Sequence, residues 1–367
     1  MRLKTRQVVV VALSEPWILD PELVNPPPPP PVTPDDPDLL AQYQAELSDY
    51  PSAYPALREY GRVVTVHDGD TVTVDVYSDA NASVPSTITH PDTGVKYSRI
   101  RIRIASIQAP ETDWLYGYES TISLRNFLAV NDVVMLRADQ DKSADALGNP
   151  RVWREMYKKS VLGDWYNVGL HQLDAGWAYA FPLSHEPRNT MNRIVHTKLA
   201  AYYGKGVFAT PSAHYGKFAL SVFPNPEGTD TPAGEYLRLK NLSAGAINIG
   251  GWRIGDPSPL SSYLFPAGTT IAAGQEFIIY VGVGTNGGGR FYMGLTKILL
   301  NNDYEVAVLH DNTGPSGTSG KIAAITQCIN SVNTPIPINV VGAIRSANPE
   351  ALDLTEPTMG AFPGVGG

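Results

Sequence analysis

Residues 61–77, GRVVTVHDGDTVTVDVY, constrain the fold more than any other stretch. Two β-branched runs meet at His67-Asp68-Gly69-Asp70, and Asp-Gly is a tight-turn signal between antiparallel strands. The chain returns to this hairpin after a polar excursion over 80–94. YSRIRIRIAS then alternates Arg with Ile, which predicts a strand whose wet face carries Arg99, Arg101 and Arg103. ESTISLRNFLAV has helical spacing at Ile122, Leu124, Phe127 and Leu128, and the strand VVMLRAD follows. Residues 170–178 and 191–203 are two further helix candidates. Strands, helix, strands, helix, helix is the order of a small β-barrel with helices packed on it.

Beyond residue 218 the pattern changes. Short runs such as EYLRLKN, AINIGGWRI, SYLFPAGTTI, EFIIYVGV, TKILLNN and YEVAVLHDN are split by Gly, Pro and Asn, with no helical period. That predicts an all-β sandwich over 218–325. Residues 326–367 are turn-rich and read as a tail. At the other end, residues 1–57 read as an arm. It holds a strand at 8–13, a polyproline II rod over the six prolines 26–31, and a short helix at 38–47.

Composition sets limits on function. Hydrophobic residues are 43% of 367, enough to fill real cores, so wholesale disorder is excluded. The formal charge is −8, so recognition of a nucleic acid requires a local positive site or a metal ion. Cys328 has no second cysteine to pair with in this chain. The start, MRLKTRQVVVVALSEPW, imitates a secretory signal. Its apolar run of six residues is short for one and far too short for a membrane span.

The residues that suggest chemistry are Asp68-Gly69-Asp70-Thr71, then Arg103, Pro110-Glu111 and Arg151. A carboxylate just after a tight turn sits at a barrel rim, where a hard cation can bind it. Glu111 is placed to position a water or take its proton. Two arginines fork onto phosphate oxygens and offset charge gathered in a five-coordinate transition state. Together these are the parts needed for metal-assisted phosphodiester hydrolysis.

In HDGDTVTV, RIASIQAPE and DALGNPRVWREMY, residues 58–208 resemble the staphylococcal-nuclease-like (thermonuclease) family. The resemblance implies an OB-fold five-stranded β-barrel with three helices. It also implies calcium as cofactor and DNA, with RNA as a further class, as substrate, cut to leave 3′-phosphate ends. By the same resemblance Asp70 is the calcium-binding aspartate of the turn, and the backbone carbonyl of Ala109 is a further ligand. Arg103 and Arg151 are the phosphate-binding arginines, with Arg154 as the alternative to Arg151, and Glu111 is the essential glutamate. Gln108 stands where the family has its second metal-binding aspartate. Leu147 stands where it has an aromatic residue, so Tyr179 or Phe181 is expected to supply base stacking. Counted over 58–200, 16 basic residues face 17 acidic ones, whereas secreted members of the family tend to be basic. His67 is read as structural, and His171, His185 and His196 have no spacing suited to zinc.

FPNPEGTDTPAGEYLRLKN, GAINIGGWRIGD, YLFPAGTTIAAGQEFIIY and LLNNDYEVAVLHDNTG resemble the lamin-tail domain, an immunoglobulin-like sandwich. Glu235, Tyr236, Asn241, Gly251-Trp252 and Leu300-Asn301-Asn302-Asp303 carry this likeness, and Asp230, Asp256 and Asp303 read as exposed loop aspartates. The domain is expected to dock a protein, DNA or a surface. Two functions remain open. One is a calcium-dependent endonuclease. The other is a structural component of a bacteriophage virion or tail, contacting protein neighbours through the arm, the lamin-tail-like domain and the tail. The expected location is extracellular or virion-associated.

Overall fold

The computed structural model describes residues 58–338, apart from 139–140, 145–149, 160, 162–164, 182–189, 225–230, 258–260, 298, 301–303, 316–319, 330–331 and 337. The arm, the C-terminal stretch from 339, Leu147, His185, Asp230 and Asn301 to Asp303 therefore lie outside the described residues.

The first hairpin forms as its alternation requires. Strand β1 (Arg58–Val66) pairs antiparallel with β2 (Thr71–Tyr77), and His67 N–H closes the turn on Thr71 C=O at 2.9 Å. The excursion after β2 holds a small two-stranded ribbon, β3 (Ile88–Thr89) with β4 (Lys96–Tyr97). Strand β5 (Arg99–Ile104) then pairs with β2 and presents Ile100, Ile102 and Ile104 to the core. Next come β6 (Ile107–Gln108), helix α1 (Gly117–Phe127), β7 (Val133–Arg137) and β8 (Arg151–Lys159). The sheet order is β5-β2-β1-β7-β8, and β8 returns to pair parallel with β5. Five strands thus close into a barrel, and a short edge strand, β9 (Trp165–Asn167), extends it beyond β8. With its helices this is an OB-fold barrel.

Helix α2 (Val168–Asp174) is shorter than the expected 170–178. Gly176 adopts φ +73°, a left-handed conformation that suits glycine and ends the helix before Trp177 and Ala178. Strand β10 (Tyr179–Ala180) pairs with β6, and α3 (Thr190–Tyr202) follows. Among the described residues no helix is long and apolar enough to cross a membrane.

The second half is a β-sandwich with an immunoglobulin-like two-layer build. Its strands are β11 (Phe218–Phe223), β12 (Tyr236–Asn241), β13 (Ile247–Asn248), β14 (Arg253–Gly255), β15 (Ser262–Leu264) and β16 (Thr270–Ile271). They continue with β17 (Glu276–Tyr280), β18 (Arg290–Tyr292), β19 (Tyr304–His310), β20 (Ile322–Ile329) and β21 (Val332–Pro335). One sheet runs β11-β12-β17-β18 and the other β15-β14-β19-β20-β21. Trp252, Phe265 and Phe277 fill the space between them. Strand β20 runs through residue 325 and β21 adds a further strand, so the sandwich takes in residues that read as tail. TKILLNN forms no strand among its described residues. The Leu299 and Leu300 N–H groups donate instead to the buried Glu235 carboxylate, at 2.9 and 3.0 Å.

Barrel and sandwich share a third core. Tyr179, Ile194, Ala200 and Phe208 pack with Val306, Val308, Ile322 and Ile325. Strand β19 is buried on both faces: Ala307 and Leu309 point into the sandwich, Val306 and Val308 toward the barrel. Tyr179 Oη lies 3.1 Å from His310 Nε2, the His310 ring packs edge-on to Trp114 at 6.3 Å, and Ser212 N–H donates to Ile322 C=O at 2.9 Å.

Candidate functional site

The turn between β1 and β2 carries Asp70 inward because Gly69 lets helix α1 come close. A Cβ on Gly69 would lie 1.9 Å from Ser120 Oγ and 2.6 Å from Ala109 Cβ. Only a residue without a side chain fits there. Asp70 is buried, at 1% exposure. Its Oδ2 accepts from Ala109 N–H at 2.7 Å, while Oδ1 accepts from Thr71 Oγ1 at 3.1 Å and from Arg103 Nη1. Burial pushes the Asp70 carboxyl well above its ordinary range, and Arg103 only partly opposes this.

Register explains why Arg103 arrives at Asp70. Thr71 on β2 faces Arg103 on β5, so Arg103 stands over the turn. The expected wet face is graded: Arg99 is exposed, Arg101 half-buried, and Arg103 only 7% exposed. The dry end is a correction to the sequence reading, and its cause is the pairing of Arg103 with Asp70. The second Arg103 nitrogen, Nη2, donates to Gln108 Oε1. Gln108 Nε2 donates to Ala109 C=O at 2.9 Å and to Glu111 Oε1 at 3.4 Å. Asp70, Arg103, Gln108, Ala109 and Glu111 therefore form one connected hydrogen-bonded cluster at the barrel rim. Burial, with Asp68 and Asp113 adding repulsion, raises the Glu111 carboxyl against the pull of Arg103.

Arg151 starts β8 directly beside Arg101, on the same outer face as Arg103. Its Nε donates to Ala144 C=O at 2.9 Å, and its guanidinium lies in the fields of Asp70, Asp68 and Glu111. Arg154 points the other way. It is fully buried, with Nε on Glu59 at 2.8 Å and Nη1 on Asp141 at 2.8 Å. This removes it as the second phosphate arginine. Tyr179 is corrected as well, because it is buried between Phe208 and His310. Phe181 stacks on Trp153 with ring centroids 6.4 Å apart, and Arg103 lies 5.7 Å over the Trp153 ring. Trp153 is thus a part of the site that the sequence reading missed. Its signal was its place two residues after Arg151, which puts it on the same strand face.

Asp70 Oδ1, Gln108 Oε1 and the Ala109 carbonyl are all oxygens, with the Glu111 carboxylate adjoining, and their chemistry fits calcium. Each of the three oxygens now accepts a hydrogen bond from Arg103 or Gln108, so Arg103 acts as the counter-charge of Asp70. Among the described residues no group of three or more His, Cys, Asp or Glu side chains is arranged to hold a metal. His171 stacks on Phe127 at 3.9 Å, and His196 bonds to Asp174.

Residues 220–327 match the family model of the Lamin Tail Domain. No curated protein matches the chain. Two of the residues that suggested a lamin tail domain, Asn241 and Glu235, make buried hydrogen bonds in it. Asn241 is buried, and its Nδ2 donates to Gly245, Ile271 and Ala272 carbonyls at 2.8–3.1 Å, which ties two loops to the end of β12. Glu235 anchors the segment before β19. Asp256 is buried rather than exposed, and burial beside Glu305 and Glu235 raises its carboxyl well above the usual range.

Proposed function

We propose that the barrel hydrolyses phosphodiester bonds of DNA, and of RNA as a further class, with calcium as cofactor, leaving 3′-phosphate and 5′-hydroxyl ends. The observation that carries this reading is the convergence of Asp70, Arg103, Gln108, Ala109 and Glu111 at one rim, with Arg151 on the adjoining strand. Asp70, Gln108 and the Ala109 carbonyl would hold calcium, which supplies positive charge against the phosphate oxygens. Arg103 and Arg151 bind those oxygens and neutralise the charge that builds as the water oxygen bonds to phosphorus. Glu111 orients that water and takes its proton, and burial, by raising its pKa, makes its carboxylate a stronger base. The bond from phosphorus to the 5′ oxygen then breaks, and that oxygen takes a proton from solvent and leaves as a hydroxyl.

A second reading makes the barrel a scaffold in a virion or tail. The engagement of Asp70 and Gln108 by Arg103 favours it, as does the core shared with the lamin tail domain. Supercoiled plasmid incubated with the full chain in millimolar calcium separates the two. Calcium-dependent nicking that disappears in Glu111→Gln supports hydrolysis, and intact plasmid overturns it.

A further inference from the structure

Arg101 is a cation beside the hydrolytic site to which the proposed reaction gives no role. It sits on the outer face of β5, between Thr73 on β2 and Arg151 on β8. Its neighbour Arg99 is taken up by Asp75, at 2.6 Å. Thr73, Tyr97, Arg99, Ile100, Arg101 and Pro150 line a shallow pocket of 240 Å³ beside it. Arg101 and Arg151 thus place two positive charges side by side on one barrel face of a chain whose net charge is −8, while Arg103 beside them is countered by Asp70. A local basic patch on an acidic protein points to one anionic partner rather than to general polyanion binding.

We infer that Arg101, with Thr73 and Tyr97 beside it, forms a second phosphate subsite that receives the phosphate next to the one cleaved. The ligand class is single-stranded nucleic acid in extended form. This deepens the hydrolytic reading of the same face and rests on it for the position of the first phosphate.

The spacing supports an extended strand. Residues i and i+2 of a β-strand share a face and lie about 6.7 Å apart. That is on the order of the distance between neighbouring phosphates of an unstacked single strand. Arg101 therefore stands one phosphate step from Arg103, whose own fork is engaged by Asp70 and Gln108, and supplies the guanidinium for the neighbouring phosphate. Tyr97 at the pocket edge offers a ring on which the intervening base stacks.

The test is equilibrium binding to the full chain carrying Glu111→Gln, in calcium, so that the strand stays intact. The probes are a labelled eight-residue oligothymidylate and thymidine 3′-monophosphate. Arg101→Gln is expected to weaken the oligonucleotide about tenfold, as loss of one charge-assisted phosphate contact does. It should leave the mononucleotide unchanged. The slope of log affinity against log salt should fall by about 0.7, the loss of one single-strand phosphate. Arg101→Lys, which keeps the charge, should recover most of the salt slope. Equal effects on both probes, or no effect on the oligonucleotide, overturn the subsite. The outcome is separable from that of the hydrolytic reading. If plasmid stays intact but the oligonucleotide result holds, hydrolysis fails and the subsite stands. If plasmid is nicked and Arg101→Gln binds like the parent, the subsite alone fails.

Discussion

The Arg103 guanidinium closes on the Asp70 carboxylate across 33 residues of sequence, with both side chains almost fully buried. The contact links the first hairpin to the third barrel strand at the point where the chemistry is expected. Removing one partner leaves an unpaired buried charge. Arg103→Ala should therefore destabilise the fold by about 3–5 kcal/mol. Asp70→Asn on that background should recover a good part of the loss. Urea unfolding of the two single variants and the double variant measures this coupling, and additive losses would refute the pairing.

Gln108 gives the cluster an amide where a carboxylate would add charge. Gln108→Asp should tighten calcium binding on the order of tenfold, because cation affinity follows the charge of the ligand set. It should also raise the rate of plasmid nicking. Calorimetric titration with calcium reads the first effect. An unchanged affinity would show that Asp70 and residue 108 do not share a cation.

His310 places a titratable ring in the core between barrel and sandwich. Burial holds its pKa down to about 4, against about 6.5 in an unfolded chain. The unfolded state therefore binds the extra proton first as pH drops. Stability from this residue is fully present above pH 6.5 and is lost as pH falls toward 4, by roughly 3 kcal/mol. His310→Gln should flatten that part of the pH profile in denaturant melts. A variant with the parent's full acid sensitivity would contradict the assignment.

Val308 faces the barrel from β19, so the two domains should not melt independently. Calorimetry of the parent should show one transition. Val308→Asp should lower the midpoint of both domains together, since an unpaired carboxylate in that core costs several kcal/mol. Two separate transitions in the parent would show that the shared core does not couple them.

Much of this architecture was legible in order along the chain. The alternation of β1, β2 and β5 announced the barrel strands, and Asp-Gly announced the turn that carries Asp70. Glu235, Asn241 and Trp252, among the residues that carried the likeness to a lamin tail domain, are buried by hydrogen bonds and packing inside the sandwich. Local pattern was a sound guide wherever a residue's neighbours were set by strand pairing nearby in sequence. It gave less help at Arg154 and Tyr179. Arg154 lies on a polar-looking strand but is drawn inward by Glu59 and Asp141. Tyr179 sits at a helix exit but is covered by a domain more than 100 residues away.

The sequence by itself determined the hairpin, the alternating arginines and the two-part organisation, because strand period and turn chemistry are local properties. Tertiary structure decided which arginine is dry and which is left to bind, since that depends on what faces each one across the sheet. It also decided that β19 is covered on both sides. The unbroken VAVL run within YEVAVLH allows such burial, but only the docking of the barrel against it makes two domains share a core.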